Sequence, residues 1–227
     1  SDNTYLIYMG DNGHRPNDNN MANNRTDNPA PLVGDKGNVS EGGIRVPFFI
    51  RGPGIEADSW SRAPVVGYDF FPTFTEWAQI DSGDLPDGIE GGSIASILAN
   101  NGIGDVERAT EELVFHFPHY QVGSPQSAIR LGDYKLIKYF EGNKTALFNL
   151  IDDIGEKQNL VTKMPEKAAE LEARLDAYLA SVNADIPAIN PHYDPSEPSG
   201  FTGNRLDRTR FFPHDATIDV KRLYYPE

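Results

Sequence analysis

Thr4-Tyr-Leu-Ile-Tyr-Met9 runs directly into Gly10-Asp11-Asn12-Gly13-His14. Further on comes Gly34-Asp-Lys36-Gly-Asn-Val-Ser-Glu41-Gly-Gly-Ile-Arg45-Val-Pro47. The first run is apolar on both faces, as expected of a buried central strand in an α/β sheet. It ends in two hard oxygen donors, Asp11 and Asn12, at the strand end where open α/β sheets place their ligands. A lysine in a Gly-rich loop follows. A cation site beside an anion site is what hydrolysis of an anionic ester requires.

Outward from this stretch, residues 13–38 are rich in Asn, Asp, Pro and Gly and read as a long loop, a length that is usually functional or disordered. Val46-Pro-Phe-Phe-Ile50 reads as a second buried strand, closed by Gly52-Pro-Gly54, and Val65-Val66 as a short one. Without a covering layer, strands 4–9 and 46–50 are expected to expose an apolar edge. Asp69 is placed to cap a helix with Pro72 in its first turn, and residues 94–98 form a short helix. From about residue 110 the pattern changes. Glu112-Leu-Val-Phe-His-Phe117, Gln126-Ser-Ala-Ile-Arg130, Tyr134-Lys-Leu-Ile-Lys-Tyr139 and Thr145-Ala-Leu-Phe-Asn-Leu150 read as short strands. Leu131-Gly-Asp133 and Glu141-Gly-Asn143 supply hairpin turns. Residues 165–182 carry Leu171, Leu175, Tyr178, Leu179 and Val182 on one helical face. A small antiparallel sheet covered by one helix follows, and then a Pro- and Asp-rich tail. The expected divisions are 1–110, 111–183 and 184–227.

A chain of 227 residues, 38% hydrophobic and 24% charged, can bury a substantial core. No run is long enough for an apolar membrane span. The net charge of −14 without clustered Lys and Arg argues against nucleic acid. An anionic polymer would have to be captured by a few local cations. The absence of cysteine excludes disulfides, thiolate metal sites and a cysteine nucleophile within these residues. Ser1 opens almost directly on a strand with no signal peptide, a start expected of a mature or cut chain.

Asp11 and Asn12 suit Ca²⁺ or Mg²⁺, yet two ligands hold neither ion, and Asp-Asn-Gly also makes a plain turn. Lys36 can offer a point charge to sulfate or phosphate, or be an ordinary solvated lysine. Glu41 and Arg45 can brace the loop as an ion pair or touch substrate. His116 and His119 point to opposite strand faces unless Pro118 bends the chain, so packing or surface placement suits both. His119 lies just past the strand, where a cleft could form. His14, beside Asp11 and Asn12, is better placed for substrate.

Four ordered patterns resemble the sulfatase family of the alkaline-phosphatase-like superfamily. They are the strand with Asp11-Asn12-Gly13; Lys36-Gly37 with Glu41-Gly-Gly-Ile-Arg45-Val-Pro47; and Asp69-x-x-Pro72-Thr73 with Asp87-Gly88. The fourth is Arg130-Leu-Gly-Asp-Tyr-Lys135-Leu followed by Leu147-Phe-Asn-Leu150, Asp153, Glu156 and Asn159-Leu160. The resemblance implies an α/β fold: part of an alkaline-phosphatase-like mixed sheet plus a small C-terminal α+β subdomain, a four-stranded antiparallel sheet with one helix. It implies that Asp11 and Asn12 are metal ligands, usually for Ca²⁺, with Mg²⁺ as an alternative. It also implies that Lys36 is the catalytic lysine that holds a sulfate oxygen. His14, where the family often has a small residue, and His119 are candidate substrate contacts by their positions alone. The family's Cys/Ser-x-Pro-x-Arg motif, source of its formylglycine nucleophile, is absent: Ser124-Pro125 and Ser196-Glu-Pro198 lack the arginine. The expected role is the C-terminal portion of a sulfatase acting on a sulfated carbohydrate, inactive without the other half, and periplasmic or secreted in a bacterium. A phosphoryl-ester hydrolase of the same superfamily and a non-catalytic carbohydrate-binding module are the alternatives.

Overall fold

The computed structural model describes residues 3–13, 31–119 and 124–188. His14 and the tail from residue 189 onward lie outside the described residues. Among the described residues no helix is long and apolar enough to cross a membrane. The chain divides into two compact units, Ser1–Met9 with Pro47–Glu111, and Gly10–Val46 with Glu112–Glu227.

In the first unit β1 (Leu6–Met9) pairs antiparallel with β2 (Phe48–Arg51), Leu6 opposite Arg51 and Met9 opposite Phe48. The burial expected of both strands is not met within this chain. Leu6 is 62% and Phe49 67% exposed, because among the described residues each strand has a single partner and one face has no covering layer. The exposed apolar edge expected of uncovered strands is what remains. Residues 65–66 form no strand, although Val66 is extended. A 3-10 turn at Gly67–Asp69 leads into α2 (Phe70–Trp77), whose Trp77 stacks on Tyr5 with centroids 3.7 Å apart. α3 spans Ala95–Ala99.

Asp69 stands at the N-cap position of α2, as the sequence leads one to expect, but its side chain makes no cap bond to that helix. Its carboxylate is fully buried, accepts the Val66 and Gly92 N–H groups at 2.8 and 3.1 Å, and is gripped by Arg108. The Thr73 hydroxyl donates to the Asp69 carbonyl at 2.6 Å and accepts the Ile94 N–H at 3.0 Å. The Asp-x-x-Pro-Thr pattern thus fastens the start of α2 to residues 92–94.

The second unit holds α1 (Glu41–Ile44), a sheet ordered β3-β4-β5-β6 and α4 (Pro165–Ser181). The strands are β3 (Leu113–Phe117), β4 (Gln126–Leu131), β5 (Tyr134–Tyr139) and β6 (Lys144–Asn149), all antiparallel. Leu131 faces Tyr134 across a two-residue turn in which Gly132 takes φ 57°, a left-handed value that favours glycine. Alternation sorts the side chains into two cores. Ile129, Leu136 and Leu147 pack against Ala168, Leu171, Leu175 and Leu179 of α4. Each fully buried leucine there stabilises by about 1.5–3 kcal/mol. Ala128, Ile137, Ala146 and Phe148 form the other face, and Val39 packs on it. Val39 of the Lys36 loop and Ile44 of α1 both pack on that face.

Candidate anion-binding loop and its buried support

The 11–13 turn and the Lys36 loop share one support, the short helix α1. The Gly13 N–H donates to the Gly43 carbonyl at 3.0 Å, and the Gly42 N–H to the Val33 carbonyl at 2.7 Å. A Cβ at Gly13 would stand 2.2 Å from the Gly42 carbonyl oxygen, and one at Gly43 would stand 2.3 Å from that of Asn38. The glycines are therefore required by close backbone approach. Gly34 and Gly37 flank the half-buried Lys36 with φ of 86° and 99°. Asn38 is buried and accepts the Ser40 N–H at 3.1 Å.

Asp11 is exposed and Asn12 half-buried; the Asn12 amide donates to Asp11 Oδ1 at 2.9 Å. Both offer oxygens of the kind Ca²⁺ or Mg²⁺ prefers, but such ions take about six to eight ligands. Among the described residues no group of three His, Cys, Asp or Glu side chains could hold a metal. The pair therefore fits part of a coordination shell and makes no site alone.

His119 is exposed, its ring edge-on to Phe117 at 5.5 Å, and among the described residues it joins none of the other candidates. His116 takes a packing role: Nε2 donates to the Asp185 carbonyl at 2.9 Å, and Nδ1 meets the Ser127 hydroxyl at 2.6 Å.

Beneath α1 lies a buried charge network. Lys135, fully buried, places its ammonium 2.7 Å from Glu41 Oε1 and 2.9 Å from Glu156 Oε1. Glu156 Oε2 accepts the Glu41 N–H at 2.8 Å, and Arg45 donates to Glu41 Oε2. The bracing pair expected of Glu41 and Arg45 is present. One ammonium cannot fully neutralise two carboxylates, so their behaviour splits. Burial pushes Glu41 up, but Lys135 and Arg45 outweigh it and hold that carboxyl below the usual range. Glu156 lacks the arginine, and burial keeps its carboxyl above that range despite Lys135 and the Glu41 N–H. Lys135 and Glu156 were legible only as parts of a recurring pattern. The available signal was strand parity, which puts Lys135 on the same face as Ile137.

Residues 33–185 match the family described as N-sulphoglucosamine sulphohydrolase, C-terminal. The chain is 32% identical over 200 residues to a sulfatase of Formosa agariphila, covering 81% of this chain and 34% of that protein. It is 29% identical over 160 residues to a Delta 4,5-hexuronate-2-O-sulfatase of Bacteroides thetaiotaomicron, covering 66% and 31% respectively. A solved 2-O GAG sulfatase superposes with a TM-score of 0.56 at 26% identity, over 79% of this chain and 36% of that one. A structure solved in complex with its substrate D-glucosamine-2-N,6-O-disulfate gives a TM-score of 0.52 at 26% identity, over 63% and 30%. The chain spans about a third of the length of the curated relatives it matches.

Proposed function

This chain belongs to the sulfatase family, as a match to its C-terminal portion, and on that premise we propose that it completes a larger hydrolase of carbohydrate sulfate esters. The observation that carries the reading is the joint attachment of the 11–13 turn and the Lys36 loop to α1. In this reading Lys36 presents its ammonium to a sulfate oxygen and offsets the charge that grows as the ester bond breaks. Asp11 and Asn12 supply oxygen ligands to a divalent cation whose other ligands come from outside the described residues. Such an ion, when bound, polarises the sulfuryl group as a Lewis acid. The nucleophile is assigned to another part of the parent protein, since these residues contain no cysteine and no Ser-x-Pro-x-Arg. The saccharide class follows relatives named for hexuronate and N-acetylglucosamine sulfates.

The test is to assay the longest natural protein containing this chain on a saccharide sulfate and the matched phosphate, with and without chelator. Chelator-sensitive turnover of the sulfate ester in preference to the phosphate is expected, and none from the 227-residue chain alone. Preference for phosphate, or sugar binding without metal or turnover, contradicts the reading.

A further inference from the structure

A fully buried lysine on the sheet face that carries the apolar cluster of Ala128, Ile137, Ala146 and Phe148 is an expensive choice. Apolar residues of similar volume often give equal or greater stability than a buried ion pair. The contacts of Lys135 indicate what the charge accomplishes. α1 has four residues and no side-chain hydrogen bond at its N-cap, Ser40, so it is far too short to hold its own position. Its first turn is fixed from outside instead. Glu156 takes the Glu41 N–H, and Lys135 bridges the Glu41 and Glu156 side chains. Gly43 packs so tightly on the Asp35 and Asn38 carbonyls that a shift of α1 carries residues 33–38 with it. The Gly13 N–H bond to Gly43 ties the 11–13 turn to the same movement.

We propose that Lys135 is a positioning residue: through Glu41 and Glu156 it sets the place of α1, and thereby of Lys36, Asp11 and Asn12, from the small sheet. The proposal rests on the sulfatase reading for its catalytic consequence, but not for the anchoring itself. Lys135 touches neither substrate nor metal; it acts through α1.

The experiment uses the longest natural protein containing this chain and the paired variant Lys135→Met/Glu156→Gln. That pair removes one positive and one negative charge and leaves Glu41 with Arg45. Melting temperature, kcat/KM on a saccharide sulfate, and amide hydrogen exchange of residues 33–43 and 165–181 are measured together. A melting temperature close to wild type is expected, with kcat/KM lower by about 100-fold. Exchange rises in 33–43 and not in 165–181. The milder Glu156→Gln, which keeps Lys135 on Glu41, loses about 10-fold in kcat/KM and serves if the pair does not fold. Unchanged exchange in 33–43 overturns the anchoring. Raised exchange with unchanged kcat/KM overturns the positioning role. If the wild-type protein turns over no sulfate ester, the sulfatase reading fails, and exchange alone decides the anchoring.

Discussion

Lys135→Met is expected to destabilise the fold at neutral pH by about 3–5 kcal/mol, the cost of stranding buried charge. The ammonium is fully buried and compensates two carboxylates that are themselves nearly inaccessible. Arg45 still reaches Glu41, and Glu156 keeps the Glu41 N–H but loses its buried ammonium. The pH dependence separates this mechanism from simple loss of packing. In the wild-type chain the folded-state pKa of Glu41 is depressed, so its contribution is present above the unfolded glutamate value, about 4.3. It is lost as pH falls through the lower folded value. The Glu156 pKa is raised, so its contribution is present below that unfolded value and is lost as pH rises through the folded one. Without Lys135 both carboxyls move upward, and protonation relieves the variant. Urea unfolding at pH 7 and pH 5 should show the gap between wild type and variant shrinking at the lower pH. An equal gap at both pH values would mean that packing, not charge, is what Lys135 supplies.

Asp69→Ala is expected to destabilise the first unit by a comparable amount, about 3–5 kcal/mol. Arg108 approaches Asp69 bidentately, Nε to Oδ1 at 2.8 Å and a terminal nitrogen to Oδ2 at 2.6 Å, and the same nitrogen reaches the Pro64 carbonyl at 2.7 Å. Truncation leaves a guanidinium 7% exposed without its counterion and strands the Val66 and Gly92 N–H groups. Arg108→Lys should not be neutral, because a point charge cannot reproduce the fork. Both tryptophans, Trp60 and Trp77, lie in this unit, so denaturant titration by tryptophan fluorescence reads it selectively. A midpoint unchanged for Asp69→Ala would contradict the clamp.

What was legible in the sequence had short range. β5 spans the expected Tyr134–Tyr139, the Gly132 turn lies where the hairpin signal placed it, and α4 ends one residue before its expected limit. Periods of 2 and 3.6 and turn chemistry are local signals. The sheet-plus-helix design of the α+β part followed from them. α1 was illegible because two of its four residues are glycines and its stability comes from Glu156, 115 positions away. Asp69 is legible at the start of α2, but its clamp is not, because Arg108 is 39 residues distant. Lys135 and Glu41 meet across 94 residues. In the candidate site, the sequence marked Asp11, Asn12 and Lys36 by residue type and order. The backbone bonds that seat their segments on α1 carry no side-chain signature beyond the glycines.

If this chain supplies part of the chemical site of a sulfatase, Lys36 is the residue whose loss reports it. The measurement is kcat/KM on a saccharide sulfate, wild type against Lys36→Ala, in the longest natural protein that contains the chain. A loss of about 10²–10³-fold is expected, the size seen when a preorganised charge at the reacting group is removed, with an unchanged melting temperature. Activity within about twofold of wild type would contradict it.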